Sequence, residues 1–286
     1  MPMISGNEES ISNKDYARLC DLIYAEAGIH LGPDKKIMLE ARIKRRLKAL
    51  ELNSYRHYCD YLFDQKGMQE ELVSLIDVVT TNKTDFFRES AHFDFLAQKA
   101  LPEWCSENYA SRPFLIWSAG CSTGEEPYTM AIVLSEFAGT RPGFRFRILA
   151  SDISTQVLEK AQVGVYSEET VAPIPKHLQH RYFLRSRDRE NPRVRVVPEL
   201  RQSIHFRRLN FMDSHYGMEE KADAIFCRNV LIYFDRPTQE KILRKLSDCL
   251  WPGGYLFVGH AESLHDMNLP LHPVAPALYR RLNGNR

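Results

Sequence analysis

At 286 residues, with 44% hydrophobic and 26% charged content, the chain has the composition of an ordinary folded protein, with room for one large domain or a large and a small one. A formal net charge of +1 excludes recognition of nucleic acid or membrane by an overall field and leaves electrostatic recognition to a local patch. The six cysteines, Cys20, Cys59, Cys105, Cys121, Cys227 and Cys249, show no CxxC pair and no histidine spacing that suits zinc, so buried reduced thiols and no metal are expected.

The N-terminal stretch MPMISGNEESISNKDYARL lacks a basic region followed by an apolar core, and no run of about 18 apolar residues occurs anywhere, which predicts a cytoplasmic protein with no direct membrane insertion. From Asn13 to about Val79 apolar residues recur at helical spacing in YARLCDLIYAEAGI, KKIMLEARIKRRLKALEL, SYRHYCDYLF and QEELVSLIDVV. The breaks GIHLGPDKK, LNSYR and DQKG hold the Gly, Asn or Pro that short helix-to-helix turns need. A small all-helical domain is predicted over 10–79. The polar, then aromatic TTNKTDFFRES fits a linker over 80–95 that also touches a site.

From Pro113 onward β-rich runs alternate with helical ones: FLIWSAG, PYTMAIVLSEFAG, FRILASDI, STQVLEKAQVGV, then ADAIFCRNVLIYF, PTQEKILRKLSDCL and GGYLFVGHAE. This α/β pattern implies a parallel sheet with helices on both faces and ligands at the carboxyl ends of its strands. Between Tyr166 and about Arg208 the rhythm breaks, and a short helical piece with a β-ribbon built from RVRVV and SIHFRRL is expected as an insertion.

The loop after the first strand reads GCSTGEE. Gly120 and Gly124 permit a tight turn and close approach of a ligand, and a helix opening near Glu125 would offer free N–H groups to a phosphate. Glu125 and Glu126 argue against a pyrophosphate and for a cationic ligand; S-adenosylmethionine, with its sulfonium and ammonium groups, is of that kind. Asp152, about thirty residues on at the end of ASDIS, stands where an α/β nucleoside site places the acid for the ribose hydroxyls, or else caps the helix that follows. The strand HFRRLNFMD brings Asn210 to the same edge, and DAIFCRNVLIYF brings Arg228, Asn229 and Tyr233.

Together STGEEPY, ASDI, FCRNVLIYF and NKTDFFRE resemble the signature segments of the CheR-type chemotaxis receptor methyltransferases, over nearly the whole chain. The resemblance implies a Rossmann-like S-adenosylmethionine-dependent methyltransferase domain over 96–286, with a small antiparallel β-subdomain inserted at about 166–208, preceded by the all-α domain. It implies methyl transfer from S-adenosyl-L-methionine to receptor glutamates, with S-adenosyl-L-homocysteine as product. By the same resemblance Glu125 or Glu126 would face the methionine end of the cofactor, Asp152 the ribose, and Asn210 with Phe211 the adenine. Asn82, Thr84 and Arg88 of the linker, with Gly120, Gly124, Arg228 and Asn229, would complete the pocket. Thr129 stands where the family usually has serine.

A glutamate acceptor ionises near pH 4.3 and is already the nucleophile at pH 7, so no general base is required. Catalysis reduces to desolvation and in-line positioning, which contributes about 7 kcal/mol where alignment is good; Arg88 and Tyr233 are the candidates for positioning, the alternative for Arg88 being that it only pins the linker. In PDKKIMLEARIKRRLKAL the apolar stripe Leu39, Ile43, Leu47 and Leu50 opposes a basic wall with Lys35, Arg42, Lys44, Arg45, Arg46 and Lys48. Lys35, Arg42, Arg45 and Arg46 are the candidates for contact with the glutamate-rich cytoplasmic helical domain of a methyl-accepting chemoreceptor.

The resemblance further suggests that the ribbon takes a receptor C-terminal tail as an added strand, with Arg193, Arg195, Arg207 and Arg208 meeting acidic groups; the alternative is a ribbon that only braces the sheet. A monomer is expected. An RNA methyltransferase would want a larger positive excess and aromatic residues among the basic ones, and no nucleic-acid partner is expected. A module that binds the cofactor as a signal without turnover is the remaining rival.

Overall fold

Ser12 and Ser54 are placed to accept backbone N–H groups at helix starts, and the chain uses both. The structure, a computed structural model, describes residues 10–108, 112–188 and 190–282; the leader reading rests partly on the first nine residues, which lie outside these. Contacts divide the chain into two units, one running up to Thr81 and including Tyr233–Asp235, the other formed by Asn82–Ile232 and the chain from Arg236.

The first unit is helical. Helix α1 (Asn13–Ala27) is capped by Ser12 Oγ, which accepts the Asp15 N–H, and closed by left-handed Gly28. A 3-10 turn, Pro33–Lys35, leads into α2 (Lys36–Ala49), followed by α3 (Tyr55–Leu62), capped by Ser54, and α4 (Gln65–Val79), capped by Asp64. Leu19 and Ile23 of α1, Leu39, Ile43 and Leu47 of α2, and Tyr58 and Leu62 of α3 are buried, the i, i+4 spacing of one face per helix. Lys35 lies in the turn rather than in α2, because Pro33 opens a separate start.

The second unit begins with helix α5 (Ala91–Phe95), which passes through a π-helical stretch, Leu96–Ala100, into α6 (Leu101–Asn108). The segment expected as linker to residue 95 is thus helical from Ala91. Then come β1 (Phe114–Ala119), α7 (Glu125–Thr140), β2 (Phe146–Asp152) and α8 (Thr155–Val163). The insertion holds β3 (Val165–Ser167), α9 (Glu168–Val171), α10 (Lys176–Tyr182), β4 (Phe183–Arg185) and β5 (Arg193–Val196). After α11 (Pro198–Gln202) follow β6 (Ile204–Arg208), β7 (Ala222–Cys227), α12 (Arg236–Cys249), β8 (Leu250–Val258), β9 (Leu271–Ala275) and β10 (Leu278–Arg281).

Among the described residues the strands form a seven-stranded sheet, order β6-β2-β1-β7-β8-β10-β9, and a three-stranded one, order β3-β5-β4. In the large sheet β6, β2, β1, β7 and β8 run parallel, and β10 runs antiparallel between β8 and β9. This is a Rossmann-like, doubly wound sheet. The strand order reverses between β1 and β7, so the ligand crevice of such a sheet lies at the carboxyl ends of these strands. Both are buried along their whole length, as strands covered on both faces must be.

The antiparallel insertion is present, but SIHFRRL is not part of it. Ile204 pairs with Ile148 and Phe206 with Ala150, making this segment the parallel edge strand β6 of the large sheet. Its alternating Ile204 and Phe206 suit a strand with one face on helices, and Phe206 packs 6.1 Å from Tyr128 of α7. The ribbon is built from β3, β4 and β5, with β5 central, so its open edges belong to β3 and β4. No helix among the described residues is long and apolar enough to cross a membrane.

Candidate functional site

At the end of β1 the chain turns through left-handed Gly120 (φ 89°), Ser122 (48°) and Gly124 (99°) before α7 begins. The Gly120 and Cys121 N–H groups both donate to the Ser151 carbonyl, at 2.8 and 2.9 Å, which lays the loop against the end of β2. A Cβ on Gly124 would lie 2.9 Å from Tyr166 Oη and 3.0 Å from Ala161 Cβ, so both conformation and space require glycine there. Tyr166 Oη donates to the Thr123 carbonyl at 2.7 Å.

Asp152, at the end of β2, is buried. Its Oδ2 accepts the Ser122 N–H at 2.8 Å and its Oδ1 the Ser154 N–H at 3.0 Å. The N-cap position of α8 is Ser154, and Asp152 joins the glycine loop to the turn that opens this helix.

The two glutamates that open α7 have different surroundings. Glu125 is 6% exposed and its Oε2 accepts the Thr123 hydroxyl at 2.7 Å. Glu126 accepts the Ser118 hydroxyl at 2.7 Å and pairs with Arg228 at 3.2 Å. Burial pushes both carboxyls above the usual range, in Glu126 despite the guanidinium beside it.

The linker residues are fastened to this loop. The Asn82 carbonyl accepts the Ser122 hydroxyl at 2.9 Å; Phe86 is buried, its ring 5.1 Å from that of Tyr166 and 5.5 Å from that of Phe183. The Phe87 N–H donates to Thr129 Oγ1 at 3.2 Å, while that hydroxyl donates to the Glu125 carbonyl at 2.7 Å. A serine hydroxyl has the same donor and acceptor capacity, which explains why the exchange at Thr129 is mild. Thr84 and Arg88 are half-buried, and Arg88 Nη1 donates to the Lys83 carbonyl at 3.1 Å.

Arg228 follows β7 with a side chain 2% exposed. It pairs with Glu89 at 3.1 Å and Glu126 at 3.2 Å, and donates to the Arg88 carbonyl. Asn229 Nδ2 donates to Glu89 Oε1 at 3.3 Å. Asn229 (φ 58°), Phe87 (55°) and Glu89 (53°) are all left-handed without being glycine, a conformation that costs of order 1–3 kcal/mol per residue and collects at functional sites.

Asn210 and Phe211 follow β6. Asn210 Oδ1 accepts the Met212 N–H at 2.9 Å, and the Phe211 carbonyl accepts Lys245 Nζ at 2.6 Å and Tyr216 Oη at 3.1 Å. Phe211 is buried, its ring 6.0 Å from that of Tyr216.

All the expected cofactor residues, Asn82, Thr84, Arg88, Gly120, Gly124, Glu125, Glu126, Asp152, Asn210, Phe211, Arg228 and Asn229, belong to the second unit. Tyr233 groups with the helical unit, where its carbonyl accepts the His30 N–H at 2.9 Å.

The basic wall of α2 needs correction. Arg46 makes a two-pronged pair with buried Glu71, at 2.7 and 2.8 Å, and Tyr58 Oη donates to the same carboxylate at 3.0 Å. Arg42 donates to the Val79 carbonyl and to Thr81 Oγ1. Both arginines tie α2 to α4 and its C-terminal end rather than standing free. Lys44, Arg45 and Lys48 are exposed beside Ile37, a large apolar side chain 78% exposed. Lys35 is exposed and pairs with Asp34 at 2.9 Å.

Sequence reasoning missed Ser122, Glu89 and Glu262. Glu89 stood inside the quoted NKTDFFRE, and its charge next to Arg88 was the available signal. Glu89, His92 and His260 bring three ligand-type atoms within 4.8 Å of one another. A divalent cation there would face the Arg228 guanidinium, already 3.1 Å from Glu89, so the cluster reads as part of the ion-pair network. His92 is buried, its ring nitrogens without a hydrogen-bond partner of normal geometry, and burial followed by the Arg228 charge lowers its pKa to about 4.

Comparison with known proteins places this geometry in a family. Residues 82–276 match the family model described as CheR methyltransferase, SAM binding domain, and residues 14–80 the model described as CheR methyltransferase, all-alpha domain. Proteins named chemotaxis protein methyltransferase are similar over most of their length. That of Borreliella burgdorferi is 38% identical over 95% of this chain and 95% of its own. The Escherichia coli protein is 41% identical over 89% and 86%, and the Salmonella typhimurium protein 40% identical over 90% and 86%.

Proposed function

The chain belongs to the CheR methyltransferase family, and on that premise we propose that it transfers the methyl group of S-adenosyl-L-methionine to glutamate side chains of methyl-accepting chemoreceptors, forming methyl esters. It is an S-adenosylmethionine-dependent methyltransferase. The observation that carries the reading is the join between Asp152 and the glycine loop, which gathers Glu125, Glu126 and Asp152 at the carboxyl ends of β1 and β2, beside the switch point of the sheet.

Three carboxylates, Glu125, Glu126 and Asp152, meet at the glycine loop, an environment for a ligand with cationic centres and hydroxyl donors rather than for phosphate. Glu126 is offset by Arg228, which leaves Glu125 as the residue for the ammonium of the methionine end. Asp152 takes the ribose hydroxyls, and Asn210 with Phe211 the adenine. Asn82, Thr84 and Arg88 close the linker side, and Arg228 holds Asn229 through Glu89.

The bound cofactor supplies an electrophilic methyl group. The protein excludes water and aligns the acceptor carboxylate, which is ionised at pH 7 and needs no base. Arg88 holds the non-attacking oxygen; Tyr233, the other candidate for positioning, groups with the helical unit. On the helical unit Arg45, with Lys44, Lys48 and Ile37, forms the receptor-facing patch, and Lys35 adds charge at its N-terminal end. Arg42 and Arg46 support it from within. The proposal extends to a cytoplasmic, monomeric enzyme; a receptor tail would add to the open edge of β3 or β4. Mass spectrometry of receptor peptides after incubation tests the substrate: a gain of one methylene on glutamate supports it, and modification of other residues only contradicts it.

A further inference from the structure

The segment after β8 carries a buried carboxylate that the proposed chemistry leaves without a task. Glu262 is 7% exposed. Its Oε2 accepts the N–H of Asn229 at 2.9 Å and of Gly259 at 2.5 Å, and its Oε1 the N–H of Leu231 at 2.7 Å. Neighbouring backbone N–H groups that converge on one point form an anion-binding concavity, commonly filled by a ligand's phosphate or carboxylate. Here the chain fills it with its own side chain. One carboxylate thereby joins the turn after β7 to the turn after β8, two adjacent strand ends at the ligand crevice.

The geometry around the turn is tight. Asn229 is left-handed, φ 58°, and its side-chain amide donates to Glu89. A Cβ on Gly259 would meet Asn229 Nδ2 at 2.5 Å and Asn229 N at 2.9 Å, so the two turns touch backbone to backbone. A residue in this conformation persists only where its surroundings hold it.

We propose that Glu262 is a positioning residue for methyl transfer: through three backbone N–H groups it holds the Asn229–Leu231 turn, and with it the Asn229 side chain, in the arrangement that binds the cofactor. The inference rests on the reading of Asn229 as a cofactor contact. Glu262 is assigned no contact with cofactor or receptor. Its loss therefore acts on cofactor affinity more than on turnover.

The test uses the full chain with Glu262→Gln, Glu262→Asp, Gly259→Ala and Asn229→Ala, binding of S-adenosyl-L-homocysteine by calorimetry, and steady-state methylation. Glu262→Gln keeps the shape but turns one acceptor into a donor that faces an N–H group. It should raise the dissociation constant and the KM for cofactor about tenfold, with kcat at saturating cofactor within about twofold. Gly259→Ala presses on Asn229 from outside while the Glu262 carboxylate stays in place, and should weaken binding likewise; if Glu262→Gln does not fold, Glu262→Asp, which keeps the carboxylate but shortens its reach to the three N–H groups, decides. Folded Glu262→Gln or Glu262→Asp with unchanged cofactor affinity overturns the proposal. Asn229→Ala separates the premise: unchanged affinity there overturns the reading of Asn229, whereas weakened binding in Asn229→Ala alone overturns only the role of Glu262.

Discussion

Asp152 Oδ2 accepts the Ser122 N–H at 2.8 Å, so the acid at the end of the second strand also fixes the shape of the glycine loop after the first. On the proposed reading, ribose recognition and loop geometry hang on one side chain.

Replacing Asp152 by alanine should therefore weaken cofactor binding by about 1.5 to 3 kcal/mol, the scale of hydrogen bonds to a charged group. Calorimetry with S-adenosyl-L-homocysteine reads this. An unchanged affinity in folded protein would confine Asp152 to bracing the loop.

Gly124→Ala should destabilise the fold by about 2 kcal/mol or more, since alanine meets both the φ of 99° and the Tyr166 hydroxyl at 2.9 Å. Thermal unfolding of the variant checks this; a wild-type midpoint would show that the loop relaxes freely.

Arg46 and Arg45 adjoin in sequence but should behave differently. Arg46→Ala strands Glu71, whose side chain is 2% exposed, and should cost about 3 kcal/mol of stability. Arg45→Ala should leave stability within about 0.5 kcal/mol and slow receptor methylation at low salt, the effect fading as salt screens it. Denaturant unfolding with initial rates at two salt concentrations separates the two.

His92 gives a pH signature. Its folded pKa of about 4 lies below the ordinary 6.5, so the unfolded chain binds the proton more tightly between these values. The stability contributed by neutral His92 is present in full above pH 6.5 and is lost as pH falls toward 4, a change of order 2–3 kcal/mol. His92→Phe, which suits a site between Phe226 and Phe257, should flatten the stability profile across that window in urea titrations. An unaltered profile would assign the acid sensitivity elsewhere.

Much of this was legible in the sequence, for identifiable reasons. The strand-glycine-helix pattern around Gly120 and Gly124 and the acid at Asp152 are local features, with consequences that hardly depend on distant residues. The misplaced SIHFRRL shows the limit: a short strand carries no mark of which sheet it joins, and its partner Ile148 lies far back in the chain. The β9–β10 hairpin was missed because Pro273 and Pro276 interrupt the alternation that marks strands. Arg42 and Arg46 read as a free basic wall because a helical stripe shows charge spacing but not Glu71 across the neighbouring helix. Glu262 was invisible for a related reason, since its partners are backbone N–H groups, which every sequence has.

The central claim is methyl transfer to receptor glutamates. Its most direct test is incubation of the protein with methyl-labelled S-adenosyl-L-methionine and membranes that hold chemoreceptors, beside receptors with their candidate glutamates changed to alanine. The account predicts label on the receptor that mild alkali releases as methanol, and none on the alanine-substituted receptor or with cofactor omitted. Alkali-stable label, or equal labelling of the substituted receptor, would contradict it.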